Sequence, residues 1–154
     1  ANRRELFAMV VLEIESVKVF MTCLFQQEVF DKFHVRDCEV TTFTRFSCDG
    51  KNFDEWYEEE EKKGEELVRW KQLKPLVFMM IRGTKTPLQL KIEFCHTMAN
   101  GDTGAMRVEY DREKLLIYTG YMQKEFSMDK ENQREWDENC MLFLKKNNIV
   151  STQL

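Results

Sequence analysis

Between residues 87 and 94 the chain alternates too regularly to be helical. Leu88, Leu90, Ile92 and Phe94 interleave with Gln89, Lys91 and Glu93, the period of a strand with one buried and one wet face. Residues 105–110 and 115–119 flank Asp111-Arg112-Glu113-Lys114, a polar turn that predicts a hairpin. Asn100-Gly101-Asp102 reads as the loop before it, and Gly120 as a bend or bulge ahead of 121–126. Strands joined by turns this short run antiparallel, because a parallel neighbour needs a crossover of about a dozen residues.

The first half follows the same logic with a helix inserted. Residues 9–14 are apolar and β-rich and predict a buried strand. Ser16 suits an N-cap, and Val17, Phe20, Met21, Leu24, Phe25 and Val29 recur at helical spacing, so 17–30 predicts an amphipathic helix. Over 33–48 the period returns to two, with Val40, Thr42, Thr44, Phe46 and Cys48 on one face. Asp49-Gly50 then predicts the hairpin turn, with a return strand over 51–56.

Residues 54–66 hold eight acids and two lysines, a net charge of −6, too polar to bury and expected to be a solvated loop or frayed helix. Beyond them, Pro75 suits a first helical position and Gly83 the position after the last. They bracket a helix over 76–82; a buried strand over 77–81 is the rival, and we read helix. Apolar residues surround that helix on all sides, which predicts deep burial. Ser127 or Asp129 caps a last helix with Trp136, Cys140, Phe143 and Leu144 as its inner stripe. Asp129 and Glu131 near its start and Lys145 and Lys146 near its end match its dipole. Burial of Trp136 is expected to contribute about 2–3 kcal/mol.

This order predicts an α+β fold: a single domain over 9–149, with antiparallel sheet built from hairpins and two or three packing helices. The length of 154 residues suffices for one such core. Each half runs helix then hairpins, as half-subunits of sliding clamps do, although the helix over 17–30 is poor in the positive charge a clamp turns toward DNA. Residues 1–8 read either as an upstream extension, with Met9 the natural start, or, through Arg3 and Arg4, as a genuine N-terminal turn. Residues 150–154 read as a tail.

Several segments together resemble a known family. They are Phe30-Asp31-Lys32-Phe33, Thr42-Phe43 with Phe46 and Asp49-Gly50, and Lys74-Pro75-Leu76 with Phe78. Further along come Ile81-Arg82-Gly83, Thr86-Pro87-Leu88, Lys91-Ile92 with Phe94, and finally Trp136-Asp137 with Phe143-Leu144-Lys145-Lys146. Over about residues 9–149 the chain is similar to a family of small bacterial proteins of anaerobic Gram-positive organisms, a domain of unknown function. The resemblance implies no activity, cofactor or catalytic residue.

Five cysteines, an odd number without a C-x-x-C pair, and nine methionines predict a reduced, cytoplasmic setting. The longest purely apolar run, 76–81, is far short of the roughly 20 residues of a membrane span, so no membrane partner is expected. There is no G-x-S-x-G, P-loop, G-x-G-x-x-G or H-E-x-x-H motif.

Metal ligands would come from His34, Cys38, Cys48, Cys95 and His96. On a strand, His34 and Cys38 share a face about 13 Å apart, and Cys95 and His96 point to opposite faces. Neither pair predicts a metal site or a Cys/His nucleophile, and no cofactor is expected. Between residues 69 and 91 there are six bases and no acid, with Trp70 inside the run and a Gly83-Thr84-Lys85-Thr86 turn. Trp70, Arg82 and Lys85 are therefore the candidate binding residues for an anionic or nucleic-acid partner, set against solvated charge neutralised by the acidic run. Phe53, Trp56 and Tyr57 read as core contributors before a docking edge. The functional expectation is a non-enzymatic binding or adaptor domain with a protein or macromolecular partner. The alternatives are nucleic-acid association through 69–91 and, behind it, a small Cys/His enzyme.

Overall fold

The structure, a computed structural model, describes residues 8–81 and 85–154. Its elements are β1 (Ala8–Ile14), α1 (Val17–Phe25), β2 (His34–Thr41), β3 (Arg45–Cys48), α2 (Trp70–Ile81), β4 (Gln89–Thr97), β5 (Thr103–Tyr110), β6 (Leu115–Met122), α3 (Glu131–Lys146) and β7 (Ser151–Gln153). The strands form one seven-stranded antiparallel sheet in the order β3-β2-β4-β5-β6-β1-β7. The fold is α+β, as the hairpin spacing predicts.

Register explains the two faces. Val40, Leu90, Tyr110 and Leu115 align across four strands, as do Cys38, Ile92, Val108 and Ile117. These and Leu12 form the buried face. All three helices cover it. Trp70 of α2 meets Phe94 edge-on at 5.6 Å. Phe20 of α1 packs on Phe30, which stacks on Phe94 at 5.1 Å. Cys140 and Leu144 of α3 join the same core. The opposite face carries Glu39, Lys91, Glu93, Arg107, Glu109 and Tyr118, all half-buried, with Arg36 paired to Glu93 and Arg107 lying over Tyr118 at 4.8 Å. An antiparallel sheet tolerates this arrangement because polar residues occupy every second position.

Several expectations change. Ser16 caps α1 through the Val19 N–H at 3.1 Å, but the helix stops at Phe25 rather than 30, and the chain turns so that Phe30 drops into the core. Asp49-Gly50 is not the hairpin turn: β2 and β3 join over 42–44, and no strand follows over 51–56, where Lys51 only bridges to Leu67. Gly50 is still required, since its φ is +71° and a Cβ there would lie 1.8 Å from the Val35 carbonyl oxygen.

Helix α2 begins five residues before Pro75 and holds it in its interior. β6 runs straight through Gly120 to Met122. Residues 151–153 are a strand, not a tail: they pair with β1 at the sheet edge. Because β1 lies between β6 and β7, the two halves share one sheet, and neither builds a clamp-like subdomain of its own. The question of residues 1–8 lies almost wholly outside the described residues, although Ala8 opens β1. Among the described residues no helix is long and apolar enough to cross a membrane.

Candidate functional site

The basic run is dispersed rather than gathered. Trp70 is 0% exposed, and its indole N–H donates to the Leu24 carbonyl at 2.8 Å. It is a core group on which no base can stack. Arg69 forks onto Glu65 at 3.1–3.2 Å, and Lys74 pairs with Asp31 at 2.6 Å. Lys91 lies on the far face of the sheet, facing Glu39 in register. Lys85 is exposed. Arg82, with Gly83 and Thr84, lies outside the described residues.

The acidic insert is pinned at its end. Glu65 accepts from Arg69 and meets His34 Nε2 at 2.7 Å, so its carboxyl is held below the usual carboxylate range, chiefly by Arg69. The rest is exposed loop with two short 3-10 turns. Trp56, read as a core contributor, is 85% exposed, and Phe53 is exposed beside Lys51. Tyr57 is half-buried and joins a hydrogen-bonded chain: Gln72 donates to its hydroxyl, which donates to Asn52.

The thiols and histidines also separate. A bulge between Val35 and Asp37 puts His34 on the open face and Cys38 on the core face, so they do not share a face. Cys95 is the cross-strand partner of His34 on the open side, while His96 stacks on Trp136 on the other. Burial pushes the Cys95 thiol up to about 11 and the Cys38 thiol up to about 12, the reverse of what nucleophilic activation requires. Among the described residues no group of three or more His, Cys, Asp and Glu side chains could hold a metal ion.

The surface that stands out is apolar. Three helices cover one sheet face in a single layer, so α2 buries only its inner half, Trp70 and Val77, with Leu73, Met80 and Ile81 packed beside them. Its outward half shows Pro75, Leu76, Phe78 and Met79 to solvent, Leu76 at 59% and Met79 at 63%. Next to it a groove of about 470 Å³ runs between α1 and α2, lined by Val17, Met21, Phe25, Phe78, Ile81 and Pro87 among others. Phe25 and Phe78 touch across its floor at 5.5 Å. Lys18, Lys71 and Lys85 are exposed on or around these helices. The sequence contains the signal for this surface: a helix apolar on every side of its last two turns.

A family model matches residues 23–104 and 101–151, and its description is a family of unknown function, DUF5721. No curated protein and no solved structure matches the chain.

Proposed function

The chain belongs to the family of unknown function DUF5721, and from that premise we propose that it is a non-enzymatic binding domain whose α1–α2 face docks an acidic amphipathic segment of a protein partner. The observation that carries this reading is the exposed outward half of α2 beside the α1–α2 groove. Covering the remaining exposed surface of Leu76, Phe78 and Met79 would contribute roughly 1 kcal/mol each before the costs of association are deducted. Charge supports the class of partner. Residues 17–27 contain one charge, Lys18, and 69–92 contain bases and no acid. Glutamates flanking an apolar stripe would therefore meet Lys18, Lys71 and Lys85, and the nearby Asp31 is already paired with Lys74, which favours both encounter and register. The resemblance implies a bacterial, anaerobic Gram-positive host, and five unpaired thiols fit a reducing cytoplasm.

The test is fluorescence anisotropy with a labelled synthetic helix bearing leucines on one face and glutamates on the other. Controls are its lysine counterpart and a single-stranded oligonucleotide. The acidic peptide is expected to bind, and the chain carrying both Leu76→Asp and Met79→Asp to lose at least about tenfold, 1.4 kcal/mol, at unchanged melting temperature. Equal binding of both peptides, or full binding by the substituted chain, defeats the reading. Oligonucleotide binding that the substitutions leave intact and that falls steeply with salt transfers the function to nucleic-acid association.

A further inference from the structure

We propose that Cys38 and Cys48 close a cross-strand disulfide when the chain meets a small-molecule disulfide, which makes the β2–β3 edge a thiol-reversible modification site. The two residues are direct partners in the β2–β3 register. Opposed residues of antiparallel strands lie about 4.5–5.5 Å apart at Cα with side chains on one face, inside the roughly 4.4–6.8 Å that a disulfide spans. The other three cysteines have no such relationship. Cys95 faces His34 and Ala105 in register, and Cys23 and Cys140 sit on α1 and α3. All five are free.

The surroundings divide the labour between the two thiols. β3 is a four-residue strand at the end of the sheet, with no neighbouring strand beyond it among the described residues, and Arg45, Phe46 and Ser47 are exposed. It can give the fraction of an ångström that bond formation demands. Cys48 is half-buried and reachable, while Cys38 is buried. Cys48 Sγ, as thiolate, attacks one sulfur of glutathione disulfide; that S–S bond breaks and glutathione leaves as a thiolate that takes up a proton. Cys38 Sγ then loses its proton to water and attacks Cys48 Sγ, releasing the second glutathione. Two protein thiols are oxidised and one disulfide is reduced to two thiols. Burial holds the Cys38 thiol up at about 12, so the second attack is the slow one.

The experiment incubates the full chain with glutathione disulfide, blocks remaining thiols, digests without reductant and maps the peptides by mass spectrometry. The expected product is one linked peptide pair, Cys38 to Cys48, that dithiothreitol dissolves. Cys48→Ser is expected to yield neither link nor adduct at this edge. Cys38→Ala is expected to stop at a Cys48–glutathione adduct; circular dichroism checks its fold, and Cys48→Ser carries the comparison if that core variant unfolds. Recovery of wild-type Cys48 as free thiol or as a persistent glutathione adduct, or a link between any other pair, overturns the proposal.

Discussion

Tyr121 donates its phenolic hydrogen to Asp102 Oδ2 at 2.6 Å, tying the end of β6 to the turn that joins β4 and β5. The other carboxylate oxygen accepts the Lys124 N–H at 2.8 Å, and Asn100 donates to Oδ2 at 3.1 Å. These donors hold the Asp102 carboxyl below its usual range, Tyr121 first among them, while burial and then Asp102 push the phenol up to about 12. Tyr121→Phe is expected to cost about 1–3 kcal/mol, since a buried hydrogen bond to a charged group is lost and the carboxylate keeps its burial. The folded carboxyl titrates below its unfolded value near 3.9. Its contribution is therefore present above about pH 4 and is lost as the pH falls through the folded value. Urea melts of both proteins at neutral and acid pH check this: the gap should shrink on acidification.

Gly104 has a different neighbour. A Cβ built there would sit 2.4 Å from the Trp136 ring, whose N–H donates to the Ala105 carbonyl at 3.1 Å. Gly104→Ala is expected to displace the indole and destabilise by about 1–3 kcal/mol through overpacking. Near-UV circular dichroism should change as the indole moves, and acrylamide should quench two tryptophans, Trp56 and Trp136, where the wild type offers chiefly Trp56.

These packing relationships mark the limit of what periodicity conveys. The alternation of Leu90, Ile92 and Phe94 was enough to specify a half-buried antiparallel strand, and the stripe of Trp136, Cys140 and Leu144 enough to specify which side of α3 is buried. Both signals are local. Asp49-Gly50 misleads because a left-handed glycine serves any sharp turn, and here the chain bends to follow Val35 rather than to return as a strand. Residues 151–153 carry no strand signal of their own; β1 recruits them because its edge needs a partner.

The candidate surface was less legible than the fold. Run lengths and charges of 69–91 are plain in the sequence, but which side of α2 meets the sheet is a tertiary fact. Trp70 and Leu76 are equally apolar in composition, and only the single helical layer buries one and exposes the other. Arg69 and Lys74 look like free bases until Glu65 and Asp31, four and forty-three residues away, are brought against them.

Glu65 supports a third prediction. It is where the acidic insert is fastened, through Arg69 and His34, and its lowered titration makes that fastening present above about pH 4.3, the ordinary glutamate value, and lost as the pH falls through the folded one. Glu65→Gln keeps the shape and removes the charge. Cleavage within 58–64 by a glutamate-specific protease is expected to quicken several-fold at neutral pH, while the global melting temperature moves little. Unchanged cleavage would mean that the Asn52–Tyr57–Gln72 chain holds the loop alone.

Asp137 runs in the opposite sense. It lies on the sheet side of α3, nearly as buried as the core, and among the described residues its Oδ1 has no hydrogen-bond partner. Burial raises its titration point, only partly offset by the Thr119 hydroxyl; the neighbouring Cys140 thiol is pushed up by its own burial first and then by the Asp137 charge. For a carboxyl raised by folding, the stabilising contribution is that of the protonated form. It is complete below the unfolded value near 3.9 and is lost as the pH rises through the folded value. The charged form is the one that burial penalises. Asp137→Asn removes that charge and is expected to stabilise the neutral protein by about 1–2 kcal/mol. The gain should fade as the pH approaches 4, and the Cys140 thiol should titrate lower in the variant. Chemical denaturation between pH 4 and pH 8 measures the first effect, and a constant or inverted difference across that window would show that Asp137 is not the strained acid of this core.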